Sequence, residues 1–391
     1  MLSDAINYQH EKNPTAFPAT ASMYLLQSAL NIDHPAVQSK LGEADVIVFQ
    51  RNVIVPEVWH SMDYWRALGK TVLVDLDDHY PNIPASNPAF AYWIANSLGM
   101  DPDPIARLRT GLEKADALIS PSPVILADWR DVVPGYWWPN YPRLQEYEKL
   151  APKRGGMDIE FGYDISDPQK PLLTTKPREG TDGNIYIGWG GSISHVDSFV
   201  YSGVLEGLRK VLEEFPNVFF KFCGHETRLN YLFEALPRVI RQDGVLPRDW
   251  PHVVSSLDIG LAPLDMREAS DNTGANNHGF SYDERRSWLK LVEYLCAGVP
   301  FVATDSAPYR PLARFGSLVQ NTPEHWYTAI KSVVQSLRWF REDADKSRAY
   351  ALKHYTIENN ARALLDLYEK IGVETQIRRM GAKLPNVLYV S

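Results

Sequence analysis

The sequence predicts an α/β protein made of two doubly wound domains that face each other across a cleft, and three observations predict it. Short apolar runs of strand length alternate with amphipathic helical stretches along most of the chain, the pattern of parallel sheets covered by helices on both faces. The alternation breaks down once, between Pro134 and Gly183, where proline, glycine and charge dominate. The length of 391 residues, 45% of them apolar, exceeds what one core holds, because single cores stop growing near roughly 250 to 300 residues.

The elements follow in order. Ala44 to Gln50 reads as a buried strand, Pro56 to Leu68 as a helix and Thr71 to Asp75 as the next strand, which makes one βαβ unit. Ala106 to Ala115 is helical, Ala117 to Ser120 a short strand and Pro123 to Trp129 a short helix. After the break a second series opens with the strand Asn184 to Gly188 and a helix from Phe199 to Glu214. The strands Val218 to Cys223 and Asp258 to Ala262, the helix Trp288 to Ala297 and the strand Pro300 to Thr304 continue it. Residues 324–341 and 343–371 read as helices, the latter long enough to cross back to the first domain. The expected division is an acceptor-type domain over 1–180 including the linker, a second over 181–345, and a helical segment over 346–391 that returns to the first.

Composition narrows the function. No run reaches the roughly 18 apolar residues of a bilayer-spanning helix, and the start of the sequence lacks the layout of a signal peptide, so a cytoplasmic protein is expected. Cys223 and Cys296 sit in apolar stretches outside any CxxC pair, which argues against disulfide scaffolds and cysteine zinc sites. Residues 1–180 carry 16 basic and 23 acidic side chains. Strong non-specific DNA binding needs basic groups that displace phosphate counterions, and this half is poorly supplied with them.

Two motifs carry chemistry in the second half. Ile187-Gly188-Trp189-Gly190-Gly191-Ser192 follows a strand and precedes a helix, where backbone amides can meet a phosphate with little side-chain obstruction. Its spacing is neither the dinucleotide GxGxxG nor a P-loop, which disfavours NAD and ATP. His195, Asp197 and His225 lie near the same strand ends. In Arg286 to Pro300, Leu289, Val292 and Cys296 form a buried stripe, Ser287 is a plausible N-cap, and Gly298 with Pro300 stops the helix. Lys290 and Glu293 then share another face, one turn apart. A cation and a carboxylate at such a helix start can divide a nucleotide: the cation takes the diphosphate and the carboxylate the ribose hydroxyls.

Leu257-Asp258-Ile259-Gly260-Leu261-Ala262-Pro263-Leu264, followed by Arg286-Ser287, Leu289-Lys290, Glu293-Tyr294 and Ala297 to Thr304, resembles the donor-binding half of GT-B glycosyltransferases, most closely the retaining family-4 (GT4-like) group. The resemblance covers residues 184 to 320 well and the first half more weakly. It implies two Rossmann-like domains around an interdomain cleft, and transfer of a sugar from a nucleoside diphosphate to an acceptor hydroxyl with retention. It also implies no required cofactor and no metal; a UDP-sugar is favoured over a GDP-sugar as donor, although the motifs do not themselves decide between them. By the same resemblance Glu293 holds the donor ribose, Lys290 and Arg286 face the diphosphate, and Gly190, Gly191 and Ser192 form the phosphate-side loop. One departure stands out: the first glutamate of the EX7E form falls at Arg285, with Glu284 beside it.

The first half offers Asp75-Leu76-Asp77-Asp78-His79 at a strand end. Three crowded acids repel, so one is expected to hold its proton or face a cation, for which Arg51 at the neighbouring strand end is suited. In GT-B enzymes this strand end lies under the donor sugar, which makes Asp78, His79 and Asp77 the candidates to orient or deprotonate the acceptor. DxDD also suggests a haloacid-dehalogenase-like phosphatase using Asp75 and Asp77, and DxD the metal site of GT-A enzymes. Trp137-Trp138 and Phe90 to Ile94 are candidate sugar-stacking aromatics. Glycans, small molecules, proteins and hydroxymethylated DNA bases are all possible acceptors, and a non-catalytic nucleotide-sugar-binding protein is a further alternative.

Overall fold

The structure, a computed structural model, describes residues 41–51, 53–79, 83–84, 87, 90, 104–150, 157–161, 173–177, 183–191, 193–224, 227–267 and 281–381. In the first lobe, Val46–Gln50 (β1), Thr71–Asp75 (β2), Ala117–Ser120 (β3) and Gly135–Trp137 (β4) form a parallel sheet in the order β1-β2-β3-β4. Val72, Leu73, Val74, Ala117 and Leu118 have no exposed surface, as near-continuous apolar runs require when both faces of a parallel sheet are covered. Gln50 lies opposite Asp75, and Ser120 opposite Trp137, so the carboxyl ends finish along one edge. Three helices, each with proline in its first turn, follow the strands: Pro56–Ala67 (α1), Pro104–Glu113 (α2) and Pro123–Asp128 (α3). α1 buries Val58, Ser61, Met62 and Trp65, one stripe at helical spacing.

The linker divides its loyalties. Leu144–Tyr147 (α4) and Leu150 pack into the core of the second lobe beside Leu257 and Leu291, and Met157–Phe161 (β5) pairs antiparallel with Leu173–Pro177 (β6). The second sheet contains Ile185–Gly190 (β7), Val218–Cys223 (β8), Val239–Gln242 (β9), Ile259–Ala262 (β10), Phe301–Thr304 (β11) and Ser317–Val319 (β12). All pairs are parallel and the order is β12-β11-β10-β7-β8-β9. The chain therefore runs outward from β7 to β9, returns to the other side of β7 and runs outward again. The reversal between β7 and β10 is where doubly wound sheets as a class form a ligand crevice.

Helices Val196–Tyr201 (α5), Val204–Glu214 (α6), Thr227–Glu234 (α7), Trp250–Ser255 (α8), Leu289–Ala297 (α9) and Pro323–Gln335 (α10) cover this sheet. The single helix expected from Phe199 to Glu214 is two helices, because Gly203 takes φ +78 where Pro323 presses against the backbone. The two last helices, Leu337–His354 (α11) and Ile357–Arg379 (α12), likewise divide elsewhere than the sequence suggests. Tyr355 packs its ring 5.6 Å from that of Trp288, and Ile357 donates its amide to the Pro142 carbonyl at 3.0 Å, which turns the chain back. α12 then lies on the first lobe, where Ile371 joins Leu73, Ala117 and Ile119 and Arg379 pairs with Asp116 at 2.8 Å. Among the described residues, no helix is long and apolar enough to cross a membrane.

Candidate functional site

The crevice at the β7–β10 reversal is built from residues that would be unusual in a plain surface turn. α9 starts beside it, after the long connection from β10, and buries Leu291, Val292, Leu295 and Cys296 against the sheet. That burial fixes the helix rotation, so Lys290 and Glu293 are only partly exposed and both approach Trp250 at the end of β7. Lys290 donates from Nζ to the Gly190 carbonyl at 2.6 Å, at the carboxyl end of β7. Its ammonium lies 5.4 Å from the Trp189 ring centre and 5.9 Å from that of Trp250, within reach of cation–π attraction to both.

Burial sets the electrostatics of the pair. It pulls Lys290 down to about 8, with Glu293 opposing and Arg286 assisting. It also pushes Glu293 up to about 7, against a hydrogen bond from the Trp250 indole and the attraction of Lys290. Both groups are thus poised to change protonation near neutrality, which marks a site where a charged ligand changes the balance. Trp250 had no signal in the sequence beyond being an aromatic, yet it touches both members of the motif.

The glycine turn is shaped by packing as well as by openness. A Cβ on Gly190 would stand 2.3 Å from the Trp250 ring, and one on Gly191 would stand 2.5 Å from that of Trp189. The Gly191 amide, expected to face an anion, donates to the Cys223 carbonyl at 3.2 Å and extends the β7–β8 ladder. Ser192 and His225 lie outside the described residues. His195 packs edge-on to Trp189 at 5.7 Å, and burial, with Arg286 and Lys290 nearby, holds it well below the usual histidine range.

Arg286 is the hub of the crevice. Its Nε donates to Asp283 at 2.8 Å, one Nη donates to the Ser194 carbonyl and hydroxyl at 3.1 Å, and the other stands 3.7 Å from Asp78 of the first lobe. Burial works against its charge, but Tyr282, Asp283 and Asp78 outweigh it and hold the guanidinium above its ordinary value. Asp78 is thereby brought to the second-lobe cations.

Its neighbours in sequence point elsewhere. Arg51, at φ +60, forks onto Asp77 with bonds of 2.7 and 2.5 Å in an exposed setting, as the crowded carboxylates require. Burial and the Asp77 charge push Asp75 up to about 6. His79 is fully buried, its ring stacked 5.6 Å from Trp129, and neither ring nitrogen has a partner on another described residue. Burial and the nearby Arg285 pull it down to about 3, so it is neutral at physiological pH. Trp137 stands edge-on to Trp288 at 5.6 Å and Trp138 to Tyr141 at 5.6 Å. Ala91, Tyr92, Trp93 and Ile94 lie outside the described residues.

Arg285, the position where the EX7E form carries a glutamate, points away from the crevice. It forks onto Asp128, at the end of α3 in the first lobe, with bonds of 2.6 and 3.1 Å, and donates to the Ser281 carbonyl at 2.9 Å.

No protein-family description matches the chain, and no curated protein matches it. Solved structures do. The chain is similar to sucrose-phosphate synthase from Thermosynechococcus elongatus, at 16% identity and TM-score 0.53 over 92% of this chain and 81% of that one. It is also similar to HepE of Anabaena in complex with UDP, at 13% identity and TM-score 0.53 over 90% and 84%. A third is the trehalose-phosphate synthase of E. coli bound with UDP-2-fluoro glucose, at 12% identity and TM-score 0.52 over 90% and 79%. The chain therefore has the GT-B glycosyltransferase fold, an α/β architecture with two parallel sheets.

Proposed function

We propose that the protein transfers a sugar from a nucleoside diphosphate, UDP before GDP, to an acceptor hydroxyl. The observation that carries this reading is Lys290 fixed on the Gly190 carbonyl at the β7–β10 reversal, with Glu293 one turn further along the same helix. An ammonium with one proton committed to Gly190 has two left for phosphate oxygens. Glu293, ionised, accepts from the ribose hydroxyls, and Arg286 adds a fixed positive charge at the lobe interface. Together they stabilise the negative charge that grows on the diphosphate as the glycosidic bond breaks.

Transfer with retention fits this set, because the leaving phosphate can take the acceptor proton and no separate base is needed. Asp78, beside Arg286, orients the acceptor hydroxyl, while Asp77 and the neutral His79 shape the strand end around it. Two of the three similar structures named above hold UDP or a UDP-sugar by their titles, which supports a UDP-sugar donor here. Incubation with labelled UDP-, GDP- and ADP-sugars, with release of nucleoside diphosphate as the readout, tests the reading. Turnover of a UDP-sugar without added metal is expected. Magnesium-dependent phosphate release that Asp75→Asn abolishes would instead reveal a phosphatase, and binding without any turnover a sensor.

A further inference from the structure

The contacts between the lobes are not evenly spread. Arg285 and Asp128 have side chains 0% and 1% exposed and meet in a forked ion pair that joins α3 of the first lobe to the turn before α9 of the second. Ile83 of the first lobe packs on Tyr282 of the second, both nearly fully buried. Asn87 donates to the Ser194 carbonyl at 2.9 Å, next to Arg286. Trp129, at the end of the Asp128 helix, stacks on His79, whose imidazole is kept uncharged first by burial and then by the nearby Arg285.

We propose that Arg285 and Asp128 are a positioning pair that pins the lobes together before any ligand arrives, so that Arg286 stands opposite Asp78 in the empty protein. The inference rests on the proposed transfer reaction for its purpose, but not for its geometry. A forked guanidinium–carboxylate pair fixes both distance and direction, and separating two buried charges costs more than separating an exposed pair. Arg285 and Arg286 are adjacent in the chain, so the pin sets where the next guanidinium lies. At the place where the motif would put a sugar-contacting acid, this chain has invested in lobe geometry. Asp78 and Arg286, at 3.7 Å, form a looser contact that an incoming diphosphate can loosen while the pin holds.

Distances between spin labels test this without any assumption about the reaction. Labels enter through Glu57→Cys in α1 and Glu206→Cys in α6, both exposed, and the native cysteines are buried. The pin predicts one narrow distance distribution in the empty protein that UDP leaves unchanged. Asp128→Asn, which keeps the shape but drops the charge, is expected to add a longer, broader component while UDP affinity stays within about twofold, since the proposed nucleotide groups belong to the other lobe. With a turned-over donor, kcat is expected to fall at least about tenfold at an unchanged donor KM. Arg285→Lys, which keeps the charge without the fork, serves if the first variant does not fold.

A broad distribution in the empty wild type that narrows on UDP would overturn the pin, as would variants with the wild-type distribution. Lys290→Ala separates the two ideas: loss of UDP binding with the same distances supports both. Failure of the wild type to bind UDP at all would remove the proposed function and leave the distance result standing.

Discussion

In the first lobe the charges at the strand ends are largely used up on one another, whereas in the second they are held in reserve. Arg51 satisfies Asp77, Asp75 is pushed towards neutrality, and His79 is buried in its neutral form. In the second lobe, Lys290 and Glu293 keep opposite charges against burial that pulls one down to about 8 and pushes the other up to about 7. The sheets differ in the same sense. The described first sheet runs in sequential order, while the second reverses between β7 and β10 and so offers a crevice. Under the proposed function, this contrast gives ligand capture to the second lobe and leaves the first to frame what is captured.

The sharpest way to break this contrast is at the contact where the lobes meet. Arg285→Ala removes the forked partner of the buried Asp128 carboxylate, and is expected to lower stability by about 3 to 5 kcal/mol in denaturant unfolding. A loss near that of a surface pair would show that the two lobes are not joined there. Next in size, Lys290→Ala is expected to weaken UDP binding by about 1.5 to 3 kcal/mol, the worth of hydrogen bonds to a charged group, while uridine binds as before. Equal losses for UDP and uridine in calorimetry would place the lysine away from the phosphates.

A milder effect concerns pH. Lys290 is neutral above about 8 and Glu293 protonated below about 7, so UDP affinity is expected to peak between those values. A bound diphosphate raises the lysine pKa, so binding above pH 8 takes up protons, which calorimetry in buffers of different ionisation enthalpy detects. A flat affinity from pH 6 to 9 would detach both groups from the ligand. The smallest effect belongs to the first lobe: Arg51→Ala, in an exposed pair, is expected to change stability by less than about 1 kcal/mol. A larger loss would mean that the first lobe also depends on its strand-end charges.

The parts legible in the sequence were those where one residue's environment is set by its neighbours in the chain. Thr71–Asp75, Val218–Cys223 and Ala117–Ser120 are read correctly because strands covered on both faces are mostly apolar, and Val46–Gln50, though at an edge, keeps four apolar residues in a row. Lys290 and Glu293 share a face because the buried stripe of α9 fixes the helix rotation. Val239–Gln242 and Ser317–Val319 escaped, since both lie at the sheet edges, where polar residues such as Arg241 and Ser317 dilute the apolar signal. The fork between Arg285 and Asp128 spans 157 positions, and neither residue carries a local sign of the other. Trp250 reaches Glu293 and Gly190 only through the fold.

The last long helix, α12, covers a sheet made of residues far upstream of it. Ile371 closes over Leu73, Ala117 and Ile119, Arg378 and Arg379 reach the Asp116 carbonyl and carboxylate, and the Tyr136 hydroxyl meets Glu374. While the ribosome is still adding the second lobe, α12 does not yet exist to close that apolar face. The final packing of this sheet therefore waits on a helix made long after it, and a product released before residue 357 would lack that cover, which favours capture by a chaperone or aggregation.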